Sequence, residues 1–517
     1  MHEIHCRTAQ APIAVSAESV LTVEGFQPAH ADTRVLNAAV VALGLLVFAV
    51  VWLPHLAFTS LSPPFDNIEQ LTWVQSLQWG YYKHPPLPTW LIWLPAQVFG
   101  ATAWIGYVLG AALTLGSMWI LWQLLSALRG ITYATVALLA ALCITYYNGR
   151  LNYYNHDIVL TFLAAASAAL CWQAFASRRL RWWAALGLVI GLGALSKYQI
   201  AVTMVSILVF AWHQRAWREP IHRMGILLAC LIALILFAPH LYWLRDHDFG
   251  PIQYAVESSL GAQLSTPDRF LDSLHWLADQ VLNRGLPALL LLGLTAFCIR
   301  RRRRSVPGRD EATLSVHHAT ARAFLLIWGI VPLLFMPLVG IVFGADLQLH
   351  WGAAFLHFAV PAVMEIGPVT FWGNADLGKV LRGFVLIQAL LLLLSHATSP
   401  RGPVSLRDHS WRTFDSAELA YGLAAAARSE LGGPVRVVSG EMAEAGALAL
   451  QLPERPLVLI DGRFDRSPWV SPDLVRQCGM LELGTSRSIP GMSAVGAAFP
   501  GLVWRVIKPQ AGTTCPR

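Results

Sequence analysis

Charged residues are scarce in this chain of 517 residues, where they make up 13% of the sequence. Soluble domains usually contain about 25% charged residues. Because hydrophobic residues account for 56% of the chain, its composition excludes an ordinary soluble protein and predicts a polytopic membrane protein with room for one small soluble domain. The start of the chain also lacks a signal peptide with a cleavage site, and we expect residues 1–32 to form a poorly ordered cytoplasmic tail.

Cysteine spacing and charge exclude further classes of protein. No CxxC pair or zinc-finger spacing occurs among the seven cysteines. Those in apolar segments are interpreted as small core residues. The net charge of +7 would suit a nucleic-acid partner, but the arginines cluster between apolar segments, so we expect none. Cys478 and Cys515 fall in the C-terminal region, where an oxidising compartment would allow a disulfide, and the sequence leaves their pairing open.

Long apolar runs of the length that crosses a bilayer, about 20 residues, recur along the chain. We count eleven, several of them short. They are Val35–Leu53, Ala103–Leu125, Ile131–Tyr147, Ile158–Phe175, Trp182–Leu195, Tyr198–Trp212, Met224–Leu244, Leu286–Ile299, Ala323–Phe343, Trp351–Phe371 and Gly383–Leu394. The abundance of Trp, with 21 copies, agrees with a protein that has many membrane–water interfaces.

The segment Leu87–Val98 is apolar but short and rich in proline, and we expect it to lie on the membrane or re-enter it. Arginine placement supports this reading. With the N-terminus in the cytoplasm and Leu87–Val98 not crossing, every cluster of basic residues between spans falls on the cytoplasmic side. These clusters are Arg129, Arg178 to Arg181, Arg215 to Arg223, Arg300 to Arg309, and Lys379 with Arg382.

The opposite, outer side then receives the chemically interesting loops and the C-terminal region. Pro434–Gly440 and Pro456–Gly462 are predicted to be strands, with an amphipathic helix at Glu441–Leu452 between them, which makes a βαβ unit. No P-loop or G-x-G-x-x-G accompanies it. We therefore predict an all-α polytopic membrane domain over residues 33–396 and a small extracytoplasmic α/β domain over residues 397–517.

Acidic residues mark two of the outer loops. Asp66 and Glu69 lie three positions apart in PPFDNIEQLTW, so a helical turn places them on one side. Asp157 opens a span in RLNYYNHDIVLTF. Carboxylates from two loops suit a hard divalent cation, such as Mg²⁺, Mn²⁺ or Zn²⁺, or a general base. Asp157 also fits a simple first-turn acid at a helix N-terminus, and the two readings are compatible.

Basic residues accompany these acids at the same membrane face. Lys83 and His84 precede a double proline in YYKHPPLPTW, and Lys197 lies between two spans in GALSKYQI. His350 stands before Trp351 at the outer end of a span. Fixed lysines at a membrane surface can bind a phosphate, although interfacial lysines that only extend to water remain an alternative reading. An interfacial His beside Trp is likewise compatible with a purely structural role.

Together these motifs resemble those of lipid-linked-sugar glycosyltransferases of the GT-C fold. An acidic first outer loop, a Lys-x-Pro-Pro element before a short apolar helix, Asp at the start of a later span and GLGALSKY occur here in the expected order. The chain most resembles the bacterial branch of the protein mannosyltransferase-like family, with the aminoarabinose transferases of lipid A and the rhizobial lipopolysaccharide galacturonosyltransferases. The resemblance covers about Val35 to Leu394.

The resemblance implies roles for individual residues. Asp66 corresponds to the catalytic aspartate and Asp157 to the second acidic position, and a cation held by this pair is an expectation. Lys83, Lys197 and His350 are expected to bind the donor phosphate, with His84 and Glu69 in support. This chain departs from the family where the first-loop acids are not adjacent and where His350 replaces Arg.

The resemblance also implies the reaction and its location. A sugar would pass from a polyprenyl-phosphate donor to an envelope glycan, lipid A or lipopolysaccharide, or a protein hydroxyl, at the outer face of a bacterial inner membrane. The main rival hypothesis is a transporter of a lipid or small solute. A transporter predicts polar residues in the middle of spans. The spans here are nearly free of charge, and the polar groups gather at one face, so the sequence favours the enzyme.

Overall fold

A computed structural model describes residues 28–262, 264–303, 316–368, 370–403, 411–485 and 492–516. Most of the predicted N-terminal tail, residues 1–27, lies outside this description, whereas residues 28–32 already belong to the first helix. Part of the predicted polar linker, residues 404–408, and the arginines at 304 and 309 also lie outside it.

Helices dominate the part of the chain that precedes residue 400. In chain order they are α1 Pro28–Thr59, α2 Phe65–Trp73, α3 Leu87–Phe99, α4 Ala103–Arg129, α5 Ile131–Leu142, α6 His156–Ser177, α7 Leu180–Ser196, α8 Ile200–His213, α9 Pro220–Asp246, α10 Gly250–Ala255, α11 Thr266–Ala278, α12 Leu286–Arg303, α13 Val316–Phe343, α14 Ala359–Met364 and α15 Leu377–Ala397. Two π-helical turns, Val256–Leu260 and Asp279–Arg284, flank α11.

The number of regular spans is smaller than the sequence predicts. Six helices among the described residues are long and apolar enough to cross a membrane, or up to seven if the bent pair Thr266–Arg284 and Leu286–Arg302 counts as one. Three further apolar helices, α5, α7 and α8, have 12, 17 and 14 residues. The multi-pass membrane architecture is therefore confirmed, while the count of eleven spans is not.

The predicted tenth span, Trp351–Phe371, is not a regular helix. Its residues form two 3₁₀ turns, Leu349–Gly352 and Leu356–Phe358, followed by the short α14. Glycines and prolines explain the break, since Pro361 lacks an N–H and Gly367 precedes a second proline. Irregular backbone is tolerated at membrane depth only where protein covers it, and this segment is largely buried.

The proline-rich segment at Leu87 forms α3, a helix of 13 residues. At 1.5 Å per residue it is about 20 Å long, shorter than the hydrocarbon core of about 30 Å. Its length agrees with the expectation of a helix that does not cross.

The C-terminal region adds three helices, α16 Ser416–Leu431, α17 Met442–Gln451 and α18 Pro472–Cys478. Its strands are β1 Val437–Gly440, β2 Leu457–Ile460, β3 Met480–Thr485, β4 Ser493–Ala494 and β5 Leu502–Ile507. They form one sheet in the order β2-β1-β3-β5-β4, and β1 pairs in parallel with β2 and β3. The predicted βαβ unit is therefore present. A disulfide joins Cys478 to Cys515, which settles the pairing that the sequence left open.

The α/β domain packs directly on the first outer loop. Trp73 and Tyr81 of that loop belong to the same buried cluster as Leu419 and Leu448 of the domain. Gly446 of α17 lies so close to α2 that a Cβ atom there would be 2.6 Å from Cγ2 of Ile68. This contact is consistent with the prediction that the first outer loop and the α/β domain lie on the same side of the membrane.

The free cysteines divide into two groups. Cys143 and Cys171 are buried, as the sequence predicts for core residues. Cys230 and Cys298 are exposed, so the core prediction is wrong for these two. Their helices α9 and α12 present apolar side chains outward, where a bilayer can cover them.

A buried ion pair lies at the end of the helices remote from the outer loops. Nε and Nη2 of Arg129, at the end of α4, donate to the two carboxylate oxygens of Glu365 at 2.9 and 3.0 Å, and the Tyr133 hydroxyl donates to Glu365 at 2.9 Å. Both charged side chains are only 1% exposed. Because His350 and Glu365 contact opposite ends of the bundle, the irregular segment between them connects those ends.

We predict that Arg129→Ala destabilises the protein by about 3–5 kcal/mol, because it leaves the Glu365 carboxylate buried without a cation. The apparent melting temperature of the detergent-solubilised protein measures this. The double variant Arg129→Leu with Glu365→Leu should recover much of the loss. Arg178→Ala is the control, since Arg178 and Glu219 form an exposed pair worth at most about 1 kcal/mol. Equal melting temperatures for Arg129→Ala and Arg178→Ala would contradict the prediction.

Candidate active site

A buried side chain, Asn67, joins the first and second outer loops. Its Nδ2 donates to the carbonyl of Asn152 at 2.9 Å, and its Oδ1 accepts from the backbone N–H of Tyr154 at 2.8 Å. Asn67 is fully buried. The amide therefore pairs with the second loop as a neighbouring strand would, and it fixes Asp66, the preceding residue, beside that loop.

Asn155 continues this connection and caps α6. Its Oδ1 accepts from the N–H of Ile158 at 3.0 Å, the usual N-cap geometry, while its Nδ2 donates to Oδ2 of Asp66 at 2.7 Å. Asp66 is exposed, unlike its neighbours in α2. Asp66 is thus oriented by the second loop and remains accessible to a substrate.

Asp157 is almost completely buried, and each of its oxygens lies near a basic side chain. Nζ of Lys197 donates to Oδ1 at 2.6 Å, and Nε2 of His350 lies 3.7 Å from Oδ2. Lys197 also lies 5.9 Å from the centre of the Trp351 ring. The structure therefore brings together Asp157, Lys197 and His350, three residues from separate parts of the chain that the sequence analysis predicts to be functional.

Desolvation lowers the pKa of His350, and Lys197 adds to this, although Asp157 and Asp66 act in the opposite direction. The net direction is down, so we expect a neutral imidazole at neutral pH. A phosphate would then receive a hydrogen bond from His350, whereas the Arg of the family would supply a charge.

Lys83 and Glu69 form the second buried ion pair of the site. Nζ of Lys83 lies 2.8 Å from Oε2 of Glu69, whose side chain is 7% exposed. Burial lowers the pKa of Lys83, but the Glu69 carboxylate together with Tyr82 and Tyr254 outweighs burial and holds that pKa above its ordinary value. Lys83 therefore stays charged, and its ammonium also faces the rings of Tyr82 and Tyr254 at 5.4 and 5.5 Å.

Three side chains near this pair have a donor set suited to a metal ion. One ligand atom each from Glu69, His84 and His156 lies within 4.8 Å of the others. Nε2 of His156 is buried and has no hydrogen-bond partner, which leaves it free to bind a cation. Burial, with His156 and Lys197 next, lowers the pKa of His84 well below its ordinary value, which favours the neutral form that coordinates metals.

The predicted metal pair Asp66 and Asp157 has other partners in the structure. Asp66 accepts from Asn155, and Asp157 interacts with Lys197 and His350. Of the two sets, Glu69 with the two histidines fits a cation better. His156 escaped the sequence interpretation because a lone His before Asp157 has no recognisable ligand spacing.

A small open cleft adjoins Asp157 and His350. Its remaining lining comes mainly from the second outer loop and the start of α6. These residues are Tyr146, Tyr147, Arg150, Tyr153, Asn155, Ile158 and Ala353. Asp66 accepts a hydrogen bond from Asn155, which lines the cleft. Of the site residues predicted from the sequence, Asp157 and His350 therefore line the cleft directly, while Lys83 and Glu69 do not.

Comparison with solved structures identifies the architecture. ArnT from Cupriavidus metallidurans bound to undecaprenyl phosphate matches with a TM-score of 0.60 over 93% of this chain and 99% of that chain, at 15% sequence identity. The chain has the fold of ArnT. The apo form of ArnT matches with a TM-score of 0.57 over 94% of this chain and 100% of that chain, at 16% identity. The ArnT fold confirms the GT-C-like membrane domain with a small α/β domain.

Sequence comparisons agree with the ArnT fold and show which sequences this chain resembles. The family profile described as dolichyl-phosphate-mannose-protein mannosyltransferase matches residues 83–243. Two Rhizobium johnstonii proteins are also similar. Lipid A galacturonosyltransferase RgtD is 24% identical over 44% of this chain and 48% of that protein. Lipopolysaccharide core galacturonosyltransferase RgtB is 28% identical over 37% of this chain and 40% of that protein. The matches thus span about half or less of these curated relatives. They confirm the resemblance predicted from the motifs.

We predict that Asn67→Ala separates the two outer loops. The change leaves the N–H of Tyr154 and the carbonyl of Asn152 buried without partners, at a cost of about 1–3 kcal/mol for each group. Hydrogen exchange should therefore rise in residues 63–73 and 148–157. Asn374→Ala, which removes an exposed side-chain bond to the Thr370 carbonyl, is the matched control and should change neither segment. Unchanged protection in Asn67→Ala would show that the amide does not hold the loops together.

Proposed function

We propose that this chain is an integral membrane glycosyltransferase that moves a sugar from a polyprenyl-phosphate donor to an acceptor of the bacterial envelope. The acceptor is a glycan, lipid A or lipopolysaccharide, or a protein hydroxyl. The observation that carries the proposal is a cleft lined by Asp157 and His350, where Lys197 contacts Asp157 and Asp66 contacts Asn155 of the same lining. The ArnT fold and the similarity to two lipopolysaccharide galacturonosyltransferases support it.

In this proposal Asp66 is the general base. One of its oxygens is occupied by Asn155, and the side chain is exposed, so the other oxygen can accept the proton of an acceptor hydroxyl. The acceptor oxygen forms a bond to the anomeric carbon as the bond to the donor phosphate breaks. The proton passes to Asp66, and polyprenyl phosphate leaves. Direct displacement inverts the anomeric centre.

The cations of the site stabilise the leaving phosphate. Lys83 stays charged because Glu69 holds it, and Lys197 is fixed by Asp157, so both positive charges are in place before the donor binds. His350 adds a neutral hydrogen bond. Asp157 is too buried and too fully paired to abstract a proton, and its role here is to position Lys197 and His350.

A divalent cation is the cofactor that we propose for Glu69, His84 and His156. Two imidazoles and one carboxylate are ligands typical of Zn²⁺, while Mg²⁺ prefers oxygen alone. When bound, such an ion would add positive charge beside Lys83 and offset the charge of the donor phosphate. Glu69 would then be shared between Lys83 and the ion.

We propose that the enzyme lies in the inner membrane with its site on the periplasmic face. Basic clusters between the spans lie on the side away from the outer loops, as the positive-inside rule requires of the cytoplasmic side. The disulfide between Cys478 and Cys515 supports an oxidising compartment for the α/β domain, which lies on the first outer loop. The bilayer is the physical environment of the chain, and no nucleic-acid partner is proposed.

We predict that Asp66→Asn lowers sugar transfer at least about 100-fold, because positioned general bases contribute about 10²–10⁴-fold. Binding of undecaprenyl phosphate should stay within about threefold of wild type. Mass spectrometry of envelope glycolipids from complemented deletion cells, with a binding assay on purified protein, measures both. Asp465→Asn, on an exposed loop of the α/β domain, is the control. Full restoration of the missing sugar by Asp66→Asn would refute the assignment of the base.

We predict that the purified protein retains about one zinc ion per chain and that His156→Ala abolishes this retention. Elemental analysis by mass spectrometry after gel filtration gives the stoichiometry without any activity assay. Removal of the ion with a chelator should lower the melting temperature of wild type but leave His156→Ala unchanged. His213→Ala, which alters an exposed histidine, is the control. Equal zinc content in the wild type and His156→Ala would contradict the assigned ligands.

A further inference from the structure

Two consecutive residues between α7 and α8 contact different helices. Nζ of Lys197 donates to Asp157 of α6 at 2.6 Å. The hydroxyl of Tyr198, the next residue, forms a hydrogen bond of 2.8 Å with Nε2 of His240 in α9. His240 is fully buried, and the reaction proposed above gives it no role. A buried imidazole bonded to the neighbour of a site lysine can control where that lysine lies.

The other ring nitrogen of His240 contacts the first outer loop. Nδ1 lies 2.6 Å from the carbonyl oxygen of Trp79. A carbonyl oxygen only accepts hydrogen bonds, so Nδ1 carries a proton and donates it to this bond. In the neutral imidazole Nε2 then has the lone pair, and the Tyr198 hydroxyl donates to it. His240 therefore joins the α7–α8 connection to the first outer loop, with both of its nitrogens satisfied.

Gly80 brings the first outer loop into direct contact with α9. A Cβ atom at Gly80 would lie 2.4 Å from two ring carbons of Trp243 and 2.9 Å from Cε1 of His240. The Trp243 ring is itself stacked on that of His240, with 12° between the two planes. A side chain at Gly80 would have to displace an indole that is packed between the loop and the helix. The loop is thus closely fitted to α9 at the point where His240 donates to it.

The turn that follows Gly80 carries Lys83. The N–H of Tyr81 donates to the carbonyl of His84 at 3.0 Å, and the N–H of His84 donates to the carbonyl of Tyr81 at 3.2 Å. These reciprocal bonds close a four-residue turn that includes Lys83. Because Gly80 immediately precedes the turn, the contact with His240 fixes the place from which the turn begins.

The ammonium groups of both lysines act on one imidazole. Burial is the main cause that lowers the pKa of His84, and His156, Lys197 and Lys83 lower it further. Electrostatic effects of this kind weaken with distance, so both lysines lie near His84. A phosphate beside His84 would therefore meet Lys83 and Lys197 together, as long as the two segments that carry them keep their spacing.

We propose that His240 is a positioning residue that sets the spacing of Lys83 and Lys197 around the donor phosphate. The inference rests on the phosphate-binding role proposed above for the two lysines and adds the side chain that links the segments carrying them. His240 acts through Tyr198 on one side and through the Trp79 carbonyl on the other. Two fixed charges stabilise a phosphate best when their geometry is set before it binds. Loss of either hydrogen bond lets one lysine move away from the other.

The test measures the binding of undecaprenyl phosphate to the purified full-length protein in nanodiscs. His240→Leu removes both hydrogen bonds, and we expect the dissociation constant to rise about tenfold. Tyr198→Phe removes one hydroxyl and should raise it about threefold. His240→Asn, whose amide can still donate to the Trp79 carbonyl, should recover part of the loss. His222→Leu alters another buried histidine of α9 and is the matched control, which should keep the wild-type affinity.

A double-mutant cycle separates positioning from a general loss of stability. Lys83→Gln should weaken binding about tenfold in wild type but at most about threefold in His240→Leu, where Lys83 is already displaced. Melting temperatures verify that each variant is folded, and Tyr198→Phe replaces His240→Leu in the cycle if the latter does not fold.

The outcomes distinguish failure of the inference from failure of the proposed function. If the losses from Lys83→Gln and His240→Leu simply multiply, His240 does not position Lys83, and the inference is overturned while the function stands. The same holds if His240→Leu and Tyr198→Phe both bind with wild-type affinity. If wild type does not bind undecaprenyl phosphate at all, the proposed function fails and the inference fails with it.

Discussion

The ion pair between Lys197 and Asp157 holds the site together. A carboxylate as buried as that of Asp157 is tolerated only with a cation beside it, so the end of α7 must meet the start of α6. This meeting closes the α6–α7 hairpin and leaves the second oxygen of Asp157 facing His350 at the end of the segment that follows α13. Lys197 neutralises the buried charge of Asp157, and His350 of a third part of the chain lies beside the other oxygen of the same carboxylate.

The segment around His350 obeys a related constraint. Its backbone is not a continuous α-helix, so several of its carbonyl groups need hydrogen-bond donors from other parts of the chain. Side chains supply them: Nε1 of Trp276 donates to Gln348, Nε2 of Gln280 to Leu349 and Nε2 of Gln199 to Trp351. These donors come from α11, from the π-helical turn that follows it and from the α7–α8 junction. The irregular path that carries His350 to the cleft is thus stabilised by polar side chains on neighbouring helices.

Sequence reasoning succeeded where a signal was local. The fold class, the βαβ unit and the proximity of Asp157, Lys197 and His350 follow from apolar length, strand patterning and family motifs. It failed at Trp351–Phe371, where hydrophobicity alone suggests a span but Pro361 and Gly367 prevent one. It also missed Asn67 and His156, because the value of a buried amide or an unpaired imidazole depends on neighbours from other loops.

The contact between the first outer loop and the α/β domain has a consequence for how the protein is made. Oε1 of Gln75 accepts from the N–H of Val458, a residue 383 positions later in the chain. The loop that carries Asp66 and Lys83 is therefore synthesised long before the domain that buries Trp73 and Tyr81 beside it. Ribosomal synthesis proceeds at about 5–20 residues per second, so this loop waits tens of seconds for its partner. Maturation of the site is thus a late event in biogenesis, completed only after the last domain has reached the same side of the membrane.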